Sequence, residues 1–305
     1  MTASTLDTPL KQPAFTGISK RRKLTDRVAT VLVTSSVLVA LVPLIWVLVS
    51  VVVKGGSVVL DSTWWWNSQA GMTAFMPGGG VYHAIVGTLL QGLVCAAISI
   101  PIGVFVGIFL VEYGGGTRLG KMTTFMVDIL TGVPSIVAAL FIYALWVATL
   151  GFDRSGFAVS LSLVLLMIPV IVRSTEEMLR VVPMDLREAS YALGVPKWKT
   201  IAAIVIPTAL SGIVTGIMLA LARVMGETAP LLILVGYAQA INFDMFSGFQ
   251  GSLPGMMYDQ VSAGAGANPV PTDRLWGAAV TLILLIAVLN IGARFIAKFF
   301  APKKV

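Results

Sequence analysis

Charged residues are scarce in this chain of 305 residues: they make up 11% of it, against 57% hydrophobic residues and a mean hydropathy of +0.91. A soluble domain carries about 25% charged residues, so this chain has too few to cover a surface that faces water. Cysteine and histidine occur once each, as Cys95 and His83. An internal disulfide is therefore excluded, and a histidine-based metal site or a Ser-His-Asp triad lacks its residues. We expect no catalytic residues, no metal and no cofactor.

Long apolar runs are abundant instead. About 20 apolar residues suffice for a helix to cross a bilayer. The runs predict six transmembrane helices, at 28–53, 82–111, 122–150, 157–173, 201–236 and 275–298. The predicted fold class is therefore an all-α, polytopic membrane protein. Residues 1–27 are polar and lack the pattern of a signal peptide, so we expect a cytoplasmic tail at 1–27 and a transmembrane domain at 28–300.

Basic residues are distributed unevenly between the two sides of the membrane. Of the 21 Lys and Arg residues, 17 fall in the N-terminal tail, the loops after the second and fourth spans, and the C-terminus, and three fall on the other side. Cytoplasmic loops carry the excess of Lys and Arg, which places both termini in the cytoplasm. The net charge of +7 is thus a topology signal, and we expect no nucleic-acid partner.

Two long segments lie on the predicted outer side. Residues 54–81 contain Trp64, Trp65 and Trp66, which are typical of an aromatic belt at the membrane interface. Residues 237–274 are rich in Gly, Pro and Phe. This second segment fits two roles equally: docking of an outer partner, or a cover for the outer mouth of the bundle.

The segment "GGTRLGKM" at 115–122 nearly matches a phosphate-binding P-loop. Met122 stands where the Ser or Thr that holds magnesium belongs, and a P-loop joins a strand to a helix. Here the segment joins two predicted spans. We therefore predict a tight cytoplasmic turn and no ATP binding by this chain.

A short helix is predicted within the cytoplasmic segment 183–200. Asp185 is placed to cap it, with Glu188 three residues later as in a capping box, and Gly194 is placed to end it. The apolar residues of this helix fall on one face: Leu186, Ala189 and Leu193. About two turns of helix are not stable alone in water, so the helix packs either on its own spans or into the groove of a partner.

The stretch "EASYALGVPKWKTIAAIVIPTAL" resembles the EAA loop of binding-protein-dependent ABC importer permeases, with Ser190 in place of the second Ala. In that family the loop forms the coupling helix that seats in an ATPase subunit. The resemblance implies this role for seven residues: Asp185, Leu186, Glu188, Ala189, Ser190, Leu193 and Gly194.

Two charges interrupt the fifth apolar run, in "LALARVMGETAPLLIL". Arg223 and Glu227 are four residues apart, a spacing that places them on one helix face. Small residues precede them on the predicted face, namely Gly212, Gly216 and Ala220, and such residues let another helix approach closely. Pro230 follows and is expected to break the helix nearby.

These two charges have a structural and a functional interpretation. As a salt bridge, the two side chains would only lower the free-energy cost of placing each other's charge in the membrane. As pathway residues, arginine presents a fork of donors to an oxyanion, and glutamate accepts a hydrogen bond only from an oxyanion that still carries a proton. Phosphate carries one at neutral pH and sulfate does not.

The segment "ARVMGETAPLL" is similar to the permeases of phosphate importers, of the PstA type. Further similar segments are "AIVGTLL", "EYGGG", "DILTGVPSIVAALF" and "LPGMMYDQ". The resemblance covers about residues 82–298 and implies a MetI-like fold. It makes pathway candidates of Arg223, Glu227 and Thr228, and it includes a motif of unassigned role with Asp128, Pro134 and Ser135.

The resemblance also implies an assembly in the lipid of a bacterial inner membrane. Its partners would be a PstC-type permease, two PstB-type ATPase subunits and an outer phosphate-binding protein. The predicted function is therefore that of a permease subunit of an ATP-driven phosphate importer. Alternatives are a permease for another oxyanion, such as molybdate or sulfate, and a secondary transporter. Inverted repeats with broken helices in both halves are typical of secondary transporters, and only one charged, Pro-interrupted span is present here.

Overall fold

The computed structural model of the protein describes residues 19–300, apart from the side chains of residues 296 and 298–300. Helices dominate this range, and its only β pairing is an isolated bridge between Ala265 and Asn268. The helices in chain order are α1 (Lys20–Leu60), α2 (Ser62–Trp66), α3 (Tyr82–Ile108), α4 (Arg118–Thr131), α5 (Ser135–Ile142), α6 (Gly156–Val181), α7 (Met184–Ala192), α8 (Lys197–Thr200), α9 (Ile206–Met225), α10 (Ala229–Leu234), α11 (Leu253–Ser262) and α12 (Pro269–Phe300).

Three π-helical turns extend these helices. Phe109–Tyr113 continues α3, Tyr143–Thr149 continues α5, and Ile201–Val205 joins α8 to α9. The described residues fall into two compact units, one ending at Ser50 and the other beginning at Val51; residues 1–18 of the predicted tail lie outside the described range. The described part of the first unit is mostly the beginning of α1, which therefore starts inside the predicted tail.

The prediction of a polytopic all-α membrane protein is confirmed. Five helical stretches are long and apolar enough to cross a membrane: Lys20–Leu60, Tyr82–Tyr113, Gly156–Val181, Lys197–Met225 and Pro269–Phe295. A sixth crossing is formed if α4 and α5, which meet at an angle of 104°, count as one broken span. The predicted run 122–150 is thus two helices.

Pro134 and Ser135, two of the residues of unassigned role in "DILTGVPSIVAALF", lie at this bend. Gly132 caps the end of α4, Pro134 precedes the first residue of α5, and Ser135 begins α5. The carbonyl of Pro134 accepts the N–H groups of Val137 and Ala138, 2.9 and 3.1 Å away. The motif therefore redirects the chain between two helices.

Helix α6 is the most buried of the candidate spans, although its predicted extent, 157–173, was the shortest. It packs against α3, α9, α5 and α4. Glycines allow close approach on two sides: a Cβ at Gly107 of α3 would lie 2.8 Å from Thr175 Cβ, and one at Gly216 of α9 would lie 2.3 Å from Ser174 Oγ. The prediction that Gly212 and Gly216 admit a neighbouring helix is confirmed.

The helices of the unit Val51–Val305 run between two ends. The α7 end carries α7 and the turn at 114–117, and the loop end carries residues 61–81 and 235–268. Helices α3 and α6 run from the loop end to the α7 end, and α9 runs back.

At the loop end, buried polar contacts hold the long segment after α10 against α3. Gln91 Nε2 donates to Gln250 Oε1 (2.9 Å), and the N–H of Leu253 donates to Thr88 Oγ1 (2.9 Å). His83, at the start of α3, is buried and its Nε2 lies 2.8 Å from Tyr237 Oη. Part of this segment therefore covers the bundle.

The three tryptophans do not form one belt. Trp64 is 3% exposed and its Nε1 donates to Thr281 Oγ1 of α12 (3.0 Å), whereas Trp66 is 75% exposed. The short helix α2 turns adjacent side chains in different directions, so Trp64 packs inside the protein, Trp65 is partly buried and Trp66 is exposed.

Candidate functional site

Arg223 lies in the last turn of α9, on a face that the other described residues from Val51 onward leave uncovered. That exposed face carries several hydroxyl side chains toward the α7 end, namely Thr208, Ser211 and Thr215. Arg223 forms no salt bridge and no side-chain hydrogen bond with any residue that the structure describes. The guanidinium is therefore free to meet a partner or a solute.

Glu227 lies in a small recess between α9 and α10. The recess is walled by α3, α6, the end of α9 and the segment before α11, through residues that include Thr88, Gln91, Gly92, Leu163, Ser252 and Pro254. Because Thr88 and Gly92 belong to the first turns of α3, the recess lies in the half of the bundle nearer the loop end. Glu227 is partly buried there, beside the polar Thr88, Gln91 and Ser252 and the apolar Leu163 and Leu231.

The prediction that Arg223 and Glu227 share one helix face is wrong. Helix α9 ends at Met225, and Gly226 caps it by donating its N–H to the carbonyl of Arg223 (3.2 Å). The predicted stripe of small residues continues to Val224, which is 2% exposed, and Arg223 lies beside that stripe. The two side chains consequently form no salt bridge with each other.

The expected break near Pro230 is confirmed. The chain leaves the helical conformation at Gly226–Thr228 and Pro230 occupies the first turn of α10. Thr228 is the N-cap residue of α10, and its carbonyl accepts the N–H of Leu232 (3.3 Å). The break turns Glu227 into the recess and leaves Arg223 outside, so the two charges serve different surfaces.

The predicted short helix at 183–200 exists as α7, and it is inverted relative to an ordinary surface helix. Such helices bury their apolar stripe and expose polar residues. Here the buried residues are Arg187 (6% exposed) and Ser190 (3%). The exposed ones include every member of the predicted apolar face: Leu186 (41%), Ala189 and Leu193 (82%), together with Met184 (62%). An exposed apolar surface of this kind is typical of an interaction site.

Polar contacts hold α7 from its buried side. Arg187 Nη2 pairs with Glu112 Oε1 (3.0 Å) and donates to the carbonyl of Leu179 (2.9 Å), and Arg187 Nη1 donates to the carbonyl of Val182 (2.7 Å). Ser190 Oγ lies 2.8 Å from Thr200 Oγ1 of α8. Ser190, treated above as a small substitute for Ala, therefore ties α7 to α8.

The predicted capping box at the start of α7 is wrong. Pro183 is the N-cap residue and no side chain caps the helix. Asp185 lies in the first turn, where a carboxylate interacts favourably with the helix dipole, and both Asp185 and Glu188 are exposed. The predicted end is confirmed: Gly194 follows the helix with a φ of +76°, a conformation that favours glycine.

Asp128, in α4, forms an ion pair with Arg173 of α6. Arg173 Nη1 also pairs with Glu176 Oε2 (2.7 Å), whose Oε1 accepts from Arg180 Nη2 (2.6 Å). This ladder explains why a charged sequence remains helical to Val181. Asp128 thus pairs with a cation and joins α4 to α6.

The turn predicted at "GGTRLGKM" is present between the end of α3 and α4. Thr117 Oγ1 caps α4 by accepting the N–H of Gly120 (3.0 Å). The segment joins two helices rather than a strand and a helix.

Sequence reasoning missed Glu112, Arg187 and the polar walls of the Glu227 recess. Glu112 and Arg187 are 75 residues apart in the chain, and no local pattern links them. In the sequence, Glu112 is a single charge at the predicted end of a span, and Arg187 is a single charge directly before the EAA segment. Gln91 and Thr88 resembled ordinary polar residues of a long apolar run.

Comparison with known proteins agrees with this architecture. The family model for "Binding-protein-dependent transport system inner membrane component" matches residues 99–305. The chain resembles two solved structures: an inward-facing MetNI methionine ABC transporter (TM-score 0.57, 21% identity, 73% of this chain and 95% of that one) and a bacterial alginate ABC transporter (TM-score 0.62, 12% identity, 93% and 99%). Identities this low show the fold alone, which is the MetI-like permease fold.

Closer relatives align over most of the chain. The chain is 51% identical over 306 residues to the phosphate transport system permease protein PstA 1 of Mycobacterium tuberculosis (strain ATCC 25618 / H37Rv), covering 100% of this chain and 97% of that protein. It is 39% identical over 290 residues to PstA of Yersinia pestis, covering 93% and 92%. The chain therefore belongs to the PstA family of phosphate transport system permeases, within the binding-protein-dependent inner membrane components.

Proposed function

We propose that the chain is the permease subunit of an ATP-driven importer of inorganic phosphate in a bacterial inner membrane. The observation that carries this proposal is the 51% identity, over the whole chain, to a relative named for phosphate transport. In this proposal a PstC-type permease completes the translocation path, two PstB-type ATPases hydrolyse ATP, and an outer phosphate-binding protein delivers the substrate. The chain itself makes and breaks no bond.

Arg223 supplies the anion-attracting group of the path. A guanidinium exposed to acyl chains costs about 2.5–3.5 kcal/mol at the bilayer centre, and Arg223 has no carboxylate partner among the described residues. The exposed hydroxyls on the same face of α9 suit a surface that faces water or the second permease. The fork of N–H donors then fits an oxyanion bidentately.

Glu227 supplies the discriminating group. A carboxylate only accepts hydrogen bonds, so it favours an oxyanion that still carries a proton and repels one that does not. Glu227 is partly buried in its recess, whose wall combines the polar Thr88, Gln91 and Ser252 with apolar residues, which limits competition from water. Thr228 adjoins Glu227 at the start of α10 and completes the candidate set.

The exposed face of α7 is the docking surface for an ATPase subunit. Met184, Leu186 and Leu193 present apolar area while the buried ion pair below them fixes the orientation of the helix. Closure of the ATPases on ATP moves α7, and the spans respond by exposing the path to the other side of the membrane. This role requires the α7 end, and both chain termini, to lie in the cytoplasm.

Uptake by the reconstituted complex tests the proposal. The chain is assembled with its partner subunits in proteoliposomes, with the binding protein outside and ATP inside, and labelled phosphate is followed. We expect uptake to require ATP at constant membrane potential. Unlabelled phosphate should compete with the labelled phosphate, whereas sulfate and molybdate should not. Preferential uptake of another oxyanion, or uptake without ATP, would reject the phosphate importer.

A further inference from the structure

We infer that the Glu112–Arg187 ion pair is a positioning joint that transmits movement of α7 into α3, and through α3 to the Glu227 recess. This inference rests on the proposed function only in taking α7 as the ATPase-docking helix. It assigns the transmission to two named residues, neither of which touches substrate or ATPase in the proposal.

The joint connects three helices at one buried point. The side chains of Arg187 and Glu112 are 7% and 6% exposed. Arg187 belongs to α7, Glu112 to the π-helical turn that ends α3, and the carbonyls of Leu179 and Val182 to the end of α6 and the residue after it. A displacement of α7 cannot leave these partners behind without stranding a buried charge, which is strongly unfavourable.

The chemistry of the joint requires arginine. Its two Nη atoms reach one carboxylate and two carbonyls at distances between 2.7 and 3.0 Å. An ammonium group is a compact point charge on a flexible stem and lacks the planar fork. Lysine at this position would retain the charge and lose the fixed geometry.

A second side chain, from the helix that follows α7, contacts the same π-helical turn at the end of α3. Lys197 Nζ, at the start of α8, donates to the carbonyl of Glu112 and lies 4.7 Å from the centroid of the Tyr113 ring. The turn Phe109–Tyr113 is π-helical, and so is Ile201–Val205 at the start of the α9 span. Turns of this kind are frequent at functional sites, and here both contact α7, the first through Glu112 and Arg187 and the second directly.

Helix α3 connects this joint to the Glu227 recess. It is helical from Tyr82 to Tyr113, with Thr88, Gln91 and Gly92 in the wall of the recess and Glu112 in the joint. One helix therefore carries both the receiving point at the α7 end and part of the candidate site toward the loop end. This is a contiguous physical connection of the kind through which coupling travels.

A thiol reporter near the site tests the joint without depending on the transported anion. Ala222 is partly exposed beside Arg223, whereas native Cys95 is buried, so Ala222→Cys adds a reactive thiol. In the assembled complex we expect its labelling rate to differ between the nucleotide-free and nucleotide-trapped states by about fivefold or more. With Glu112→Gln or Arg187→Lys the difference falls below about twofold while the ATPases still copurify.

The controls separate this joint from a merely structural pair. Arg180→Lys alters an ion pair whose arginine is 67% exposed and leaves the nucleotide response unchanged. The double variant Glu112→Gln/Arg187→Lys is no worse than either single one if both act through one contact. Three outcomes would each overturn the inference. Both single variants could keep the full nucleotide response, they could lose it only together with ATPase binding, or the parent complex could show no response. A parent complex that responds to nucleotide but takes up no phosphate would reject the proposed function and leave the joint standing.

Discussion

Two arginines of this protein show how the surroundings of a side chain decide its role. Arg187 is buried with one carboxylate and two carbonyls around it, so its charge is used to hold helices together. Arg223 is exposed at the end of α9 with no such partners among the described residues. The first is a positioning residue, and the second remains available to an anion.

Replacing Arg223 by lysine tests the geometry of its donors. Arg223→Lys retains the charge and removes the planar fork, so we expect phosphate uptake to fall roughly tenfold, equivalent to about 1.4 kcal/mol. Copurification with the partner subunits should be unchanged, as for the control Arg180→Lys. Uptake by Arg223→Lys within twofold of the parent would reject its role in the path.

Glu227→Gln keeps the size of the side chain, removes its charge and adds N–H donors. A glutamine no longer repels a fully deprotonated oxyanion, so sulfate should become a competitor of phosphate. We expect the phosphate preference over sulfate to narrow by about tenfold, the scale of one hydrogen bond to a charged group. Competition assays in proteoliposomes measure this ratio, and an unchanged preference would assign Glu227 to structure alone.

At the scale of single elements, α7 is defined by its inward polar contacts and its outward apolar face. Its sequence predicts a helix but assigns no direction to either face, because it is too short to be stable without its neighbours. The neighbours Glu112 and Thr200 attract Arg187 and Ser190 inward. The apolar residues are thereby left for a partner.

A charge on the exposed face of α7 should prevent docking. Ala189→Arg adds a long cation to this surface without touching Arg187 or Ser190, so we expect at least roughly tenfold less ATPase copurified with the permease. The control Arg118→Glu changes the charge of an exposed residue at the same end of the bundle and should leave copurification intact. Normal copurification and uptake with Ala189→Arg would discount α7 as the docking helix.

Close packing between α3 and the segment before α11 gives a stability prediction. A Cβ at Gly87 would lie 1.8 Å from the carbonyl oxygen of Gly251, and a backbone atom cannot rotate away. Gly87→Ala should lower the free energy of unfolding by roughly 1–3 kcal/mol. Gly292→Ala, in α12 with nothing within 4 Å of the new Cβ, is the matched control. Thermal unfolding in detergent distinguishes the two, and equal transitions would contradict the packing described.

At the scale of the whole molecule, the two ends of the bundle are chemically distinct. The α7 end carries the exposed apolar face of α7 and several ion pairs, whereas the loop end carries an internally hydrogen-bonded segment. There, hydrogen bonds from the Ser247 hydroxyl and the Phe246 N–H hold the pKa of Asp244 below its usual value. This asymmetry fits a membrane protein that meets different partners on its two sides.

The predicted orientation can be checked with single thiols. Ala70→Cys places a thiol on an exposed loop-end residue, and Ala192→Cys places one at the exposed end of α7. In intact cells a membrane-impermeant maleimide should label Ala70→Cys and not Ala192→Cys, which reacts only after permeabilisation. The parent chain, whose Cys95 is buried, is the unlabelled control. The opposite pattern would reverse the assigned topology.

Sequence reasoning was most successful where one residue or one run decides the outcome. The apolar runs located the candidate spans, Gly194 marked the end of α7, and Pro230 marked a break. It was wrong where periodicity was extended across an interruption. The four-residue spacing of Arg223 and Glu227 assumed a helix that Gly226 ends, and the capping box assumed that Asp185, rather than Pro183, precedes the helix.

By itself, the sequence determined that the chain partitions into a membrane as helices, which family it belongs to, and where the short helix α7 lies. These properties follow from hydropathy and local motifs, which are read along the chain. Tertiary structure alone decided which face of α7 is outward, that Arg223 is uncovered while Glu227 is recessed, and that Arg187 meets Glu112. Each of these depends on burial and on contacts between residues far apart in the chain, which no one-dimensional pattern contains.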